Sequence, residues 1–344
     1  MTEAKSPAGA VRDILPGLVL SAAVAAAAFF LSPYTAAVVP VPAMVLALII
    51  GIALNPLAVR PVHWPGMAFS VHTILRWAVA LLGLRIALAD IVDLGIITPL
   101  VIVAAMAVTL ASGFVFARIA GQPAGFGALA GAATAVCGAS ATLATSTVVP
   151  DYPNKQADVV FVVIAVNALA TLAMVAYPPL CLLLGFDPLA TGVMLGGTIH
   201  DVAQVVGAGY SVSEFAGNSA VIVKLFRVFL LLPVVLGIGW YLARIGPAAG
   251  PARVPLPGFA IAFLVLCLLN SAMQFYPEVL SYYLPLKAAL VQLSTWGLLI
   301  AIGALGLETS VTTVAALGWR HAATIVGTSA VIFALVTGSL LLLP

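Results

Sequence analysis

Eleven apolar stretches, each about as long as a bilayer-crossing helix, follow one another along the chain, and this succession leaves few folds open. A helix crosses the hydrocarbon core in about 20 residues, within a range of about 17–25. The stretches fall at 14–32, 38–54, 67–89, 96–117, 124–149, 158–184, 190–209, 217–243, 258–274, 286–307 and 320–343. The second, seventh and ninth are short or interrupted. Ser32-Pro33, Asn55-Pro56, Gln122-Pro123 and Asp187-Pro188 supply turn chemistry between stretches. Only 7% of the 344 residues are charged, where a soluble domain carries about 25%. The expected fold is therefore all-α and polytopic, with the lipid bilayer as surroundings.

A net charge of +2 is too small to point to nucleic acid. Cys137, Cys181 and Cys267 lie within apolar stretches, so neither a disulfide framework nor a zinc site is expected, and no cofactor is called for. Residues 1–13 read as a polar cytoplasmic tail. The run after them lacks a clear cleavage site, so 14–37 is read as a first membrane helix and not a removed signal. Eleven crossings from an inside N-terminus put Lys5, Arg12, Arg60, Arg118, Arg244, Arg253 and Arg320 inside, and Lys155 and Lys287 outside. Cytoplasmic loops carry the excess of Lys and Arg, so N-inside and C-outside is the expected topology. Gly83-Leu84-Arg85 with Leu94-Gly95 matches Gly306-Leu307-Glu308 with Leu317-Gly318, a weak repeat between stretches of opposite direction.

Charge inside the stretches is concentrated at 196–227. His200 and Asp201 adjoin, Gln204 follows one helical turn on, and Lys224 and Arg227 share one face of the next stretch. Ionisable groups at membrane depth usually face a bundle interior or a wet cavity and mark function. Two readings stand for the cations: they bind an anion, or they pair internally with Asp201 and Glu214. His200-Asp201 is likewise either a structural pair or a titratable element. His72 and Arg76, at i and i+4, share a face of the third stretch and fit a cavity wall. Asn167 is a candidate interhelical hydrogen-bonding group.

The fifth stretch is dominated by small and hydroxyl residues. Either it packs closely against neighbours, or it breaks at Cys137, Gly138, Ala139 and Ser140. A half-helix starting there would turn free N–H groups and a positive dipole end towards an anion. Gly196-Gly197-Thr198 has the same texture.

Ala135-Val-Cys-Gly-Ala-Ser-Ala, Gly197-Thr-Ile-His-Asp-Val-Ala-Gln-Val-Val, Val223-Lys-Leu-Phe-Arg-Val and Leu81-Leu-Gly-Leu-Arg resemble the bacterial sulfate-exporter family of multi-spanning membrane proteins, long known only as uncharacterised. The resemblance extends over nearly the whole chain. It implies the superfamily of bile-acid symporters and arsenite transporters, with panel and core domains, two inverted five-helix repeats and two broken, crossing helices. Setting the first helix aside gives repeats at 38–184 and 185–344, with breaks in the fifth and tenth stretches. The resemblance also implies the bacterial inner membrane.

The function expected is secondary transport of a small anion, a sulfur oxyanion or organosulfonate, by alternating access. Lys224 and Arg227 would neutralise it, with Cys137, Gly138, Ala139, Ser140 and Thr198 around it. His200, Asp201 and Gln204, with His72 and Arg76, would couple or gate, using a proton or sodium ion. No Gly-x-x-x-x-Gly-Lys-Ser/Thr loop is present to use ATP. A passive anion channel is the alternative. An enzyme built on Cys137, His200 and Asp201 is disfavoured, because adjacent side chains on a helix point about 100° apart. Whether two copies pair as a homodimer stays open.

Overall fold

The computed structural model describes residues 7–35, 42–58, 60–245, 257–273, 275–309 and 319–342. Lys5, Arg253 and the Leu317-Gly318 half of the repeat lie outside these residues. Among the described residues every regular element is helical. In chain order these are α1 (Pro7–Thr35), α2 (Ala43–Ala53), α3 (Asn55–Ala58), α4 (Trp64–Phe69), a π-helical turn (Ser70–Ile74), α5 (Leu75–Leu82), α6 (Leu88–Asp93) and α7 (Ile97–Ile119). Then come α8 (Ala124–Ala135), α9 (Ala139–Ser146), α10 (Lys155–Leu183), α11 (Pro188–Thr198), α12 (Val202–Val212), α13 (Glu214–Phe229) and α14 (Leu231–Ile245). The chain closes with α15 (Gly258–Met273), α16 (Pro277–Glu308) and α17 (Trp319–Leu342). Seven stretches among them are long and apolar enough to cross a membrane, and α2, α8, α12 and α15 are shorter apolar helices. The protein is an all-α, multi-pass membrane protein.

The chain divides into two units, residues 1–89 with 258–311, and residues 90–257 with 312–344. In the first, α16 packs against α1, α2 and α5. Glycine makes the approach possible: a Cβ on Gly51 would stand 2.5 Å from the Gly303 carbonyl oxygen, and one on Gly306 2.5 Å from that of Leu48. In a bilayer, where lipid is as apolar as leucine, such close backbone contact is a main source of helix association. The expected break in the tenth stretch is not present. Helix α16 runs unbroken for 32 residues, and its glycines serve packing instead. Polar groups here are tied down locally. Asn270 donates to the Ile86 carbonyl (3.1 Å) while its Oδ1 accepts from Tyr283 (3.0 Å) and Lys287 (2.8 Å).

In the second unit two stretches expected to cross singly are helical hairpins. The fifth is α8 and α9. Gly125, at the start of α8, lies against Val149 and Tyr152, which follow α9, so the chain returns to the end from which it came. The seventh is α11 and α12. Gly192 of α11 packs on Ala216 and Ser219 of α13, and Gly209 of α12 packs on Ala216 and Gly217. Both outer ends therefore meet the same turn of α13. An apolar run of about 25 residues has the same length whether it crosses or folds back, which is why eleven crossings were expected.

Helices α13 and α14 serve as a ruler for depth. The base of the second hairpin sits near residues 216–219, and Gly239 marks the base of the first by its contact with Val148. Both tips meet residues 224 and 227 between them. At 1.5 Å per residue the tips lie roughly 10 Å from one base and roughly 20 Å from the other. The hairpins enter from opposite ends and meet between the two bases, well inside the unit.

Candidate functional site

Helix α8 is built of small side chains and is buried from Gly125 to Ala135. It stops where Val136 adopts φ −111°, ψ −87° and Gly138 adopts φ 61°, ψ −120°, the latter a region that side-chain-bearing residues rarely occupy. Helix α11 stops where Ile199 turns extended, and Asp201, accepting from the Ala203 N–H (2.9 Å), caps the start of α12.

A helix that stops leaves its last carbonyls unpaired, and at bilayer depth an unpaired carbonyl costs several kcal/mol. The two cations of α13 meet this demand. For α8, Ala132 and Ala133 accept from the N–H groups of Val136 and Gly138 (3.0 and 2.9 Å). Thr134 and Ala135 accept from Arg227 Nη2 and Nε (2.8 and 3.1 Å), and Val136 accepts from Lys224 Nζ (2.8 Å). For α11, Gly196 accepts from Arg227 Nη1 (2.9 Å), and Ile199 from both Arg227 Nη1 (3.0 Å) and Lys224 Nζ (3.1 Å). The His200 carbonyl accepts a further bond from Lys224 Nζ. Lys224 and Arg227 are 0% exposed. Sequence reading offered an anion or Asp201 and Glu214 as partners; these hydrogen bonds go to backbone carbonyls, and Lys224 uses all three of its donors on them. Asp201 is near enough to interact electrostatically with Lys224.

The other expected residues separate into three groups. Cys137, Gly138, Thr198 and His200 are buried at the paired tips, while Ala139 is half-buried and Ser140 exposed at the start of α9. The Thr198 hydroxyl turns back onto the Met194 carbonyl (2.6 Å). His200 Nε2 lies 2.8 Å from Ser329 Oγ of α17, and Gln204 Nε2 faces Asn167 (3.4 Å) and Thr171 (3.5 Å) of α10. Gln204 Oε1 is buried with no hydrogen-bond partner among the described residues. His72 and Arg76 belong to the other unit, both exposed, in and just after the π-helical turn. Ser329 and Thr171 escaped sequence reading because a hydroxyl in an apolar run is common and carries no charge signal. Among the described residues no cluster of His, Cys, Asp or Glu could hold a metal ion.

Two re-entrant half-helix pairs locked tip to tip by buried cations define a class: a polytopic membrane protein with broken backbone at bilayer depth. The chain belongs to the family described as Conserved hypothetical protein 698, which it matches over residues 16–325. It is 42% identical to the UPF0324 membrane protein TauZ of Paracoccus pantotrophus over 339 residues, 97% of each chain. To the UPF0324 membrane protein CT0845 of Chlorobaculum tepidum it is 39% identical over 94% of this chain and 88% of the relative. To the UPF0324 inner membrane protein YeiH of Salmonella typhi it is 35% identical over 86% of this chain and 85% of the relative. No solved structure matches. The resemblance to a family of multi-spanning membrane proteins holds at that level, while sulfate export and the bile-acid and arsenite superfamily rest on the motifs alone.

Proposed function

We propose that the chain is a secondary transporter of a small anion, of the sulfur oxyanion or organosulfonate class, in the bacterial inner membrane. One observation carries the reading: α9 starts with Ala139 half-buried and Ser140 exposed, three to four residues after the Val136 carbonyl that the fully buried Lys224 holds, with Arg227 on the two carbonyls before it. Helix N-termini attract anions through unpaired N–H groups and the dipole. Asp201 interacts with Lys224, and two cations against this one carboxylate leave the tips formally positive. The cations act from behind the backbone and do not touch the anion. Cys137, Gly138, Ala139 and Ser140 frame it, with Thr198 at the neighbouring tip. His200, Asp201 and Gln204 are assigned to coupling, the buried Gln204 Oε1 serving as an acceptor for a hydrated proton or sodium ion. Assigning repeats to 38–184 and 185–344 gives each one re-entrant hairpin.

The test is thermal stabilisation of purified protein by sulfate, sulfite and an alkanesulfonate, at several pH values with and without sodium. A bound ligand stabilises by RT ln(1 + [L]/Kd). A dose-dependent rise in Tm is expected for at least one of these anions, and no rise with any of them overturns the assignment. In proteoliposomes, flux should saturate and follow a proton or sodium gradient; gradient-independent flux far above carrier turnover would establish a channel instead.

A further inference from the structure

The surface of α9 does not match a helix that faces lipid. On α7 the exposed residues include Leu100, Val103, Val108, Val115 and Ile119, as hydrocarbon requires. On α9, Ser140 is exposed, Leu143 is 57% exposed, and Ser146 and Thr147 are half-buried on the same side. The opposite side, Ala141, Thr142, Ala144 and Thr145, is buried. The exposed line therefore begins at a half-helix N-terminus, whose first N–H groups have no intrahelical partner. Non-helical backbone at bilayer depth is tolerated only where protein buries it or where it lines a water-filled cavity. Val136, Cys137 and Gly138 meet that condition by burial. Ser140, in the first turn of α9, is exposed with a backbone N–H that has no intrahelical partner, which water and not hydrocarbon can satisfy. At its far end the line runs into a cavity of ≈ 820 Å³ lined by Ser146, Thr147, Tyr152, Gln156 and the ion pair of Asp151 with Lys155, among others.

We infer that the exposed face of α9 is one wall of a water-filled half-channel. It runs about 10 Å, the rise of seven helical residues, from the hairpin tip at Ser140 to this cavity. A small hydrated anion passes along it. The hydroxyls of Ser146 and Thr147 already donate to the carbonyls of Leu143 and Ala144 (2.7 Å each), so the wall offers weak contacts suited to passage and not to capture. The cavity opens at the end of the unit that carries Arg118, Arg244 and Arg320, the end that positive charge assigns to the cytoplasm. The water-filled wall follows from burial and depth; the anionic cargo rests on the proposed function.

Ser140→Cys, Leu143→Cys and, as a lipid-facing reference on α10, Leu172→Cys (native Leu172 is 63% exposed) would be treated in inside-out vesicles with the membrane-impermeant anionic reagent 2-sulfonatoethyl methanethiosulfonate. Cys137, Cys181 and Cys267 are buried, so the unsubstituted protein supplies the blank. Modification of Ser140→Cys and Leu143→Cys is expected to be at least about tenfold faster than of Leu172→Cys, since only a hydrated thiol forms the reactive thiolate. Rates equal to that reference, or reaction from the outer side alone, overturn the half-channel. The reaction needs no transport, so a chain that moved no anion would leave the aqueous wall standing. An anionic route also requires the sulfonate reagent to outpace its trimethylammonium analogue at Ser140→Cys, relative to the same ratio for 2-mercaptoethanol in free solution. A ratio at or below that reference overturns the cargo.

Discussion

Lys224 and Val136 stand 88 residues apart in the chain, and the lysine ammonium donates to the Val136 carbonyl at 2.8 Å. The same ammonium holds Ile199 and His200. One side chain on α13 thus joins the tip of a hairpin from one end of the unit to the tip of a hairpin from the other. A neutral residue there would strand carbonyls from both.

Lys224→Met should accordingly be a stability variant before it is a binding variant. Breaking a buried, fully bonded charge network typically costs about 3–5 kcal/mol, and hydrogen bonds to a charged donor are the stronger kind. Thermal unfolding in detergent should show a fall in Tm larger than that of His200→Ala, which breaks one side-chain bond to Ser329. A Lys224→Met protein with unchanged Tm and no anion response would make Lys224 a ligand, and the clamp would be wrong.

Gly138 offers a cleaner probe of the break, because its constraint is conformational and not spatial. A Cβ placed there meets nothing closer than the His200 carbonyl oxygen at 3.5 Å, yet φ is +61° with ψ −120°. Holding a side-chain-bearing residue in so sparsely populated a region costs about 1–3 kcal/mol. Gly138→Ala should lower Tm and transport together. Gly121→Ala, at φ +69° with open space around it, is the control for positive φ alone. Equal losses in the two variants would detach the Gly138 geometry from the function.

These two positions show where the sequence was legible. The break at 136–138 announces itself, since small and hydroxyl residues replace branched apolar ones around it. Gly196-Gly197-Thr198 carries the same texture, but the sequence reading assigns the second break to the tenth stretch, and it falls at 199–201 in the seventh. The direction of the chain after each break does not announce itself, because that depends on Gly125 meeting Val149 and Gly192 meeting Ser219, contacts that no local pattern encodes. Charge at depth was equally visible in Lys224 and Arg227. Their partners were not, since backbone carbonyls freed by a break are the same atoms in every sequence. Glycines 297, 303 and 306 in α16 looked like those of the broken stretches, but they accommodate neighbouring helices.

Ser140→Asp separates the anion site from the fold. A carboxylate in the first turn of a helix is favourable towards its dipole by about 0.3–1 kcal/mol at exposed positions, so the resting Tm should hold or rise slightly. The same carboxylate would occupy the place of the cargo with like charge. Stabilisation by sulfate, sulfite or a sulfonate should then disappear, whereas Ser140→Ala should retain most of it. An undiminished anion response in Ser140→Asp places the binding site elsewhere.

The first hairpin also moves one loop across the membrane. Eleven crossings put residues 150–155 outside, with Lys155 as one of two outside cations. Because α8 and α9 fold back, the loop returns to the end that holds Arg118, Arg244 and Arg320. Lys155 then joins them and strengthens the positive-inside balance. Removing two crossings leaves the parity of the chain unchanged, so the ends of α1 and α17 keep their expected sides and cannot discriminate. Residue 151 can: Asp151 is almost fully exposed beside Lys155, which it contacts at 3.0 Å. Asp151→Cys should react with an impermeant maleimide in inside-out vesicles and stay protected in intact spheroplasts. The reverse pattern would restore the eleven-crossing topology and remove the fold-back of α8 and α9. With it would go the cytoplasmic assignment of the cavity beside Ser146 and Thr147.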